Sequence, residues 1–127
     1  MKVSELSGAL LDYWTGRAER AAFVGRIVEY TDGKTYCVVP AGVCGENGWT
    51  DQRIYSPSSD WAVGGPIIER ENGAIMRETF PSRVVYHAQM GNGVTRFMIS
   101  GPTHLIAAMR AFVGSKFGAE VPDEVPA

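Results

Sequence analysis

Asp32-Gly33 sits between two β-rich runs, and this arrangement constrains the fold more than any other feature. Phe23-Val24-Gly25-Arg26-Ile27-Val28-Glu29-Tyr30 precedes it, and Thr35-Tyr36-Cys37-Val38-Val39 follows. An Asp-Gly pair flanked by β-formers is a strong short-range hairpin signal. Pro40 cannot donate to a ladder and is expected to end the second run. Arg83–Met90 and Val94–Ile99, separated by Gly91-Asn92-Gly93, predict a second hairpin. Ile75–Phe80, stopped by Pro81, is a further candidate strand.

Helical periodicity surrounds these runs. Ser4 reads as an N-cap with Glu5 in the first turn, and Leu6, Leu10, Tyr13 and Trp14 follow at helical spacing. This predicts a helix over about residues 4–20. Ser58 or Ser59 is expected to cap a short helical turn that contains Asp60 and Trp61 and ends at Gly64. Pro66 suits the first position of a second short helix, ended by Asn72-Gly73. Gly101-Pro102 opens the strongest helix. Its stripe is Leu105, Ile106, Met109, Phe112, Val113 and Phe117, with Lys116 in the last turn and Gly118 as the cap. The order α–β–β–α–β–β–α, with room for one more strand, predicts an α+β domain over residues 1–120. Its small antiparallel sheet comes from two hairpins and packs against about three helices. Residues 121–127 read as a flexible acidic tail.

Composition then removes whole function classes. The chain has 127 residues, 45% of them hydrophobic, enough for one sizeable core and too apolar for a disordered chain. A formal net charge of −2 disfavours a DNA-binding role. No run reaches the roughly 18–20 apolar residues of a membrane span, and the opening residues do not read as a signal peptide. Cys37 and Cys44, with two distant histidines, give no zinc spacing and read as thiols in a reducing cytosol. No cofactor or metal set is read from the sequence. Arg outnumbers Lys nine to three, which suits geometry-specific contacts better than a diffuse charged surface.

Residues 41–58 read as one long irregular loop that holds Trp49 and Tyr55. The segment from Tyr55 to Glu71 is the most unusual in the chain. Ser56, Ser58 and Ser59 offer hydroxyls, Asp60 and Glu69 carboxylates, and Trp49, Tyr55 and Trp61 flat faces for a planar ring. Gly64-Gly65 permits close approach, and a helix start at Pro66 would present free N–H groups to an anion. Gly101-Pro102-Thr103 is a second such start. If the two starts converge, they make one pocket for a small planar or phosphorylated ligand. Arg70, Arg77, Arg83, Arg96 and Arg110 are candidates to hold its anionic part. Ordinary capping and core packing account for much of the same pattern. No Gly-x-Ser-x-Gly, His-Glu-x-x-His, Walker A or Gly-x-Gly-x-x-Gly motif is present, so no catalytic residue is assigned. A hydrolase using Asp60, Glu69 or His87 is the least supported of the readings that remain.

The opening Met-Lys-Val-Ser-Glu-Leu-Ser-Gly, the block from Tyr55 to Glu71 and the block from Gly101 to Gly118 together resemble the NinX family of tailed bacteriophages and prophages. The resemblance runs from Met1 to about Asp123 and is weakest from Val24 to Thr50. It implies a phage origin and expression in the bacterial host cytoplasm. It carries over no catalytic residue. Phage accessory proteins of this size often counter host defences, and some sequester a nucleotide signal without cleaving it. By that analogy the first expectation is a non-catalytic binder of a host nucleotide signal. The second is a host-takeover factor that binds a bacterial or phage protein, and any surplus apolar face would support a homo-oligomer.

Overall fold

The computed structural model describes residues 1–42, 51–91 and 96–123. A 3-10 turn, Val3–Glu5, leads into α1 (Gly8–Glu19). Strands β1 (Arg26–Glu29), β2 (Thr35–Gly42) and β3 (Asp51–Ile54) follow, then α2 (Trp61–Arg70). Strands β4 (Ala74–Phe80), β5 (Arg83–Met90) and β6 (Phe97–Gly101) precede α3 (His104–Phe117). The strands form two antiparallel sheets, β1-β2-β3 and β4-β5-β6, each built from consecutive strands. The fold is α+β, as the sequence predicts.

The two sheets are joined through helices. α1 packs on β2 and on α3, and α3 packs on β4, β5 and β6. The core lies between these layers and contains Leu11, Trp14, Cys37, Met90, Met109, Phe112 and Val113. Of the expected stripe on α3, Leu105, Met109, Phe112 and Val113 are buried, Ile106 is half-buried and Phe117 is exposed. Ala107, Ala108, Ala111 and Gly114 are buried as well, because the helix is covered on more than one side. Small residues there let α1 and the second sheet come close together.

Several boundaries differ from the sequence reading, each for a local reason. Ser4 does not cap the first helix. It lies in the 3-10 turn, which buries Val3 and Leu6, and the helix starts after Ser7. Gly8 makes the break with φ +57°, a conformation that costs glycine little. Pro40 does not end β2. β1 pairs only as far as Val38, so from there β2 has β3 alone as a ladder neighbour, and a register shift follows between Pro40 and Gly42. A missing donor is tolerated at such an edge-like, irregular position. The long loop is interrupted by β3, whose polar residues Asp51, Gln52 and Arg53 gave no strand signal.

The two short helices expected between residues 58 and 72 are one helix. Asp60 caps it, its Oδ1 accepting from the Ala62 N–H at 3.0 Å. Gly64 does not end it, and Pro66 lies inside it instead of opening a second helix. Proline there removes the bond to the Ala62 carbonyl. A proline also disfavours helical backbone at the residue before it, partly by crowding that residue's Cβ, and Gly65 has none. Gly64 is pressed against neighbouring backbone: a Cβ there would lie 2.4 Å from the Pro57 carbonyl oxygen. Asn72, at φ 52°, and Gly73 end the helix as expected. On α3 the cap is Thr103, whose Oγ1 accepts from the Ile106 N–H at 3.1 Å, and Gly118 closes the far end.

Val121, counted with the tail in the sequence reading, is buried, and its N–H donates to the Met1 carbonyl at 2.9 Å. Residues 124–127 lie outside the described residues, as do Cys44, Trp49 and residues 92–95.

The close packing of Gly64 and the misfit of Pro66 predict opposite effects at positions only two residues apart. Gly64→Ala should destabilise by about 1–3 kcal/mol, because backbone must move to admit the methyl group. Pro66→Ala should stabilise by about 1 kcal/mol, after offsetting the entropy that proline removes from the unfolded chain. Urea denaturation of the two variants measures both.

Candidate functional site

Asp12 anchors the site. α1 carries Leu11, Asp12, Tyr13 and Trp14 into the interior, and Asp12 is only 5% exposed. The Ser58 amide donates to Asp12 Oδ1 at 2.9 Å, and the Ser58 hydroxyl bonds the same carboxyl. Burial pushes the Asp12 pKa up to about 6, and the Ser58 hydrogen bonds oppose that rise only in part. The 56–60 segment is a compact turn, with Ser59 N–H and Asp60 N–H both donating to the Ser56 carbonyl. The Asp12–Ser58 contact therefore fixes that turn, and with it the start of α2, onto α1.

The two segments singled out in the sequence meet here. Ser58, Ser59 and Trp61 face Thr103, His104, Leu105 and Ile106 across a cleft of about 340 Å³. Ser58, Ser59 and Ile106 also line a second hollow of about 380 Å³, with Asp12, Tyr36, Ile54 and Ser56 among its other walls. The two hollows thus share a wall. Trp61 and His104 lie 6.1 Å apart between ring centroids, and His104 and Tyr86 lie 4.1 Å apart. Trp61 is 55% exposed, so much of its side chain remains accessible within the cleft. Among the described residues no Lys or Arg lines either hollow. The one carboxyl among their linings is that of Asp12, in the second hollow; Asp60 caps α2 and lines neither.

Other expected site residues lie elsewhere. Tyr55 lines a separate hollow of about 550 Å³ with Glu19, Arg20, Phe23 and Arg53. Its hydroxyl donates to Glu19 Oε2 at 2.6 Å, and burial together with that bond raises its pKa. Tyr55 and Trp61 therefore do not form one aromatic pocket. Gly64 packs on Pro57 and Leu105, and Gly101 packs on Ala107. Their glycine character serves chain packing. Gly65 lies beside the Trp61 ring. Pro66, Glu69 and Pro102 are exposed and line neither hollow. The anion site expected at Pro66 is absent, because the helix starts at Trp61 and Asp60 already occupies that end.

Four of the five candidate arginines are engaged away from the cleft, and Arg77, on β4, lines neither hollow. Arg70 pairs with Glu19 at 3.2 Å and Glu71 at 3.3 Å. Arg110 holds the carbonyls of Leu6 and Ser100, Arg96 bonds Gln89, and Arg83 covers the Phe80 ring. Asp60 and His87, considered for hydrolysis, lie in different places. Asp60 caps α2, whereas His87 pairs with Glu78 on the second sheet. Asp12 was missed by sequence reasoning, and His104, which reads from the sequence as a structural residue at a helix start, lies in the cleft. The available signal for Asp12 was a single carboxylate inside the apolar run Leu10–Trp14.

Asp12 gives the site a pH signature. The folded chain holds this proton more tightly than the unfolded chain, whose carboxyl keeps the ordinary value of 3.8. Its favourable contribution is complete below that value and is lost as pH rises through about 6. Asp12→Asn keeps an acceptor for the Ser58 amide and removes the titration. The stability of the variant relative to the parent should grow by on the order of 2 kcal/mol between pH 4 and pH 7. Denaturation across that range tests it, and a constant difference would mean that Asp12 ionises as a solvated carboxylate does.

Among the described residues, no helix is long and apolar enough to cross a membrane. No curated protein matches the chain. The family model described as bacteriophage P22 NinX matches residues 2–116. That match spans both walls of the cleft, from Asp12 to Ile106, and the chain belongs to the NinX family of bacteriophage proteins.

Proposed function

We infer that this phage accessory protein binds a small planar ligand in the Trp61–His104 cleft without transforming it. One observation carries the reading: the 58–61 and 103–106 segments, far apart in sequence, converge on one cleft that holds the half-exposed Trp61 indole. A planar ring stacked on Trp61 gains the stacking energy typical of base–aromatic contacts, about 1–3 kcal/mol. Hydroxyls of Ser59 and Thr103 stand at the rim, and the adjoining hollow leads to the Asp12 carboxyl.

The polarity of the walls refines the ligand class. The Ser59 and Thr103 hydroxyls in the cleft, with the Asp12 carboxyl in the adjoining hollow, favour N–H and O–H donors, as on a nucleobase and a sugar. The one feature suited to an anion is the first turn of α3, where helix geometry leaves N–H groups without intrahelical partners. A nucleoside or a nucleotide of low charge fits this balance better than a polyphosphate. Sequestration of a host nucleotide signal in the bacterial cytoplasm is the concrete biological form of the proposal.

The exposure of Trp61 also favours a second reading. A half-exposed indole beside Leu105 and Ile106 is the kind of anchor that protein interfaces use. Thermal-shift measurement against a panel of nucleosides, mononucleotides and cyclic nucleotides separates the two. A true ligand at a hundredfold excess over its Kd adds about 2.7 kcal/mol and raises Tm by several degrees. Trp61→Ala should abolish that shift. If no member of the panel stabilises the protein, and pull-down from host lysate returns a stoichiometric protein that Trp61→Ala loses, the small-ligand reading is wrong and the interface reading replaces it.

A further inference from the structure

The outer face of the second sheet takes no part in the binding reading. In the β4-β5-β6 register, Ile75, Ala88 and Ile99 form one cross-strand row and belong to the core side. Residues next to them in sequence face away. On that outer face Met76 stands opposite His87, and Met98 stands opposite Gln89. Met76 and Met98 are each 63% exposed. Both methionines and His87 line one shallow hollow of about 240 Å³.

Two thioethers flanking an imidazole make a soft donor set, unlike the thiolate, imidazole and carboxylate sets that suit zinc. The sheet holds the three residues on adjacent strands. Directly opposed residues have Cβ atoms about 4.5–5.5 Å apart, and diagonal ones about 7–8 Å, a gap that the long, flexible methionine side chain can close. The imidazole is also oriented. His87 Nε2 lies 3.2 Å from Glu78 Oε1. A carboxylate on one ring nitrogen is the arrangement that fixes a metal-binding histidine, leaving the other nitrogen its lone pair. Gln89 Nε2 lies 4.0 Å from Met98 Sδ, a weak contact that a stronger acceptor for sulfur electrons would displace.

We propose that Met76, His87 and Met98 form a binding site for a soft monovalent cation of the Cu(I) class. Ag(I) is the probe, because it is redox-inert and diamagnetic. The titration uses the full chain carrying Cys44→Ser, which removes a competing thiol. Cys37 is 1% exposed within the core and is left in place. The readouts are the methionine ε-methyl resonances and the imidazole nitrogens. The expected result is that Met76, Met98 and His87 signals shift together and saturate with a single Ag(I), while those of buried Met90 and Met109 stay in place. Met76→Leu, Met98→Leu and His87→Gln should each weaken binding at least about tenfold. Backbone amide spectra confirm that each variant is folded. The proposal is overturned if the two exposed methionines do not respond, or if the three variants bind Ag(I) as tightly as the parent.

Discussion

α3 is a helix without a solvent-facing side along most of its length, and the other elements are arranged around that fact. Such a helix needs partners on opposite sides, and here they are α1 and the β4-β5-β6 sheet. Close approach limits residue size at the contacts. Any Cβ on Gly114 would lie 2.3 Å from the Phe97 ring, and one on Gly101 would lie 2.8 Å from the Ala107 backbone nitrogen. Packing of this density tolerates little change in volume. It also fixes the first turn of α3 in space. Thr103 and His104 therefore reach the cleft from a rigid support, which is what a preorganised binding surface requires.

The opposite wall is held by a different kind of force. Asp12 is taken out of water beside Ser58, and its raised pKa measures how incompletely hydrogen bonds offset the loss of hydration. A buried carboxylate of this kind weakens the folded state at neutral pH relative to an apolar residue. The same contact ties the 56–60 turn to α1 and places a hydrogen-bond acceptor in the wall of a hollow. Local cost at a site that organises a cleft is the usual pattern where structure serves more than stability.

Much of the fold was legible in the sequence because its signals were local. Asp32-Gly33 and Gly118 act through their own backbone, so turn and cap chemistry found the first hairpin and the end of α3, whereas its start was read at Gly101-Pro102 and lies after Thr103. The break at Gly8 and the continuity of α2 through Pro66 were not legible. Both depend on tertiary contacts that override propensity, namely the burial of Val3 and Leu6 and the seat of Gly64 on the Pro57 carbonyl. β3 was missed because its sequence is mostly polar, while its place in the sheet comes from the antiparallel ladder with β2. The cleft was half legible. Composition drew attention to both of its segments, but periodicity could not show that Tyr55 turns to Glu19, that Arg70 and Arg110 are held elsewhere, or that Asp12 faces Ser58.

Each sheet is continuous in sequence, and this has a consequence for how the molecule comes together. β1-β2-β3 and β4-β5-β6 can each assemble from neighbouring strands, at low loop-closure cost. The cleft cannot. Its walls follow different sheets, Ser58 and Ser59 after the first, Thr103 and His104 after the second. It exists only once the two halves have docked through α1 and α3. An occupant of the cleft would therefore act as a latch on the seam, slowing the separation of the halves more than the fraying of either sheet.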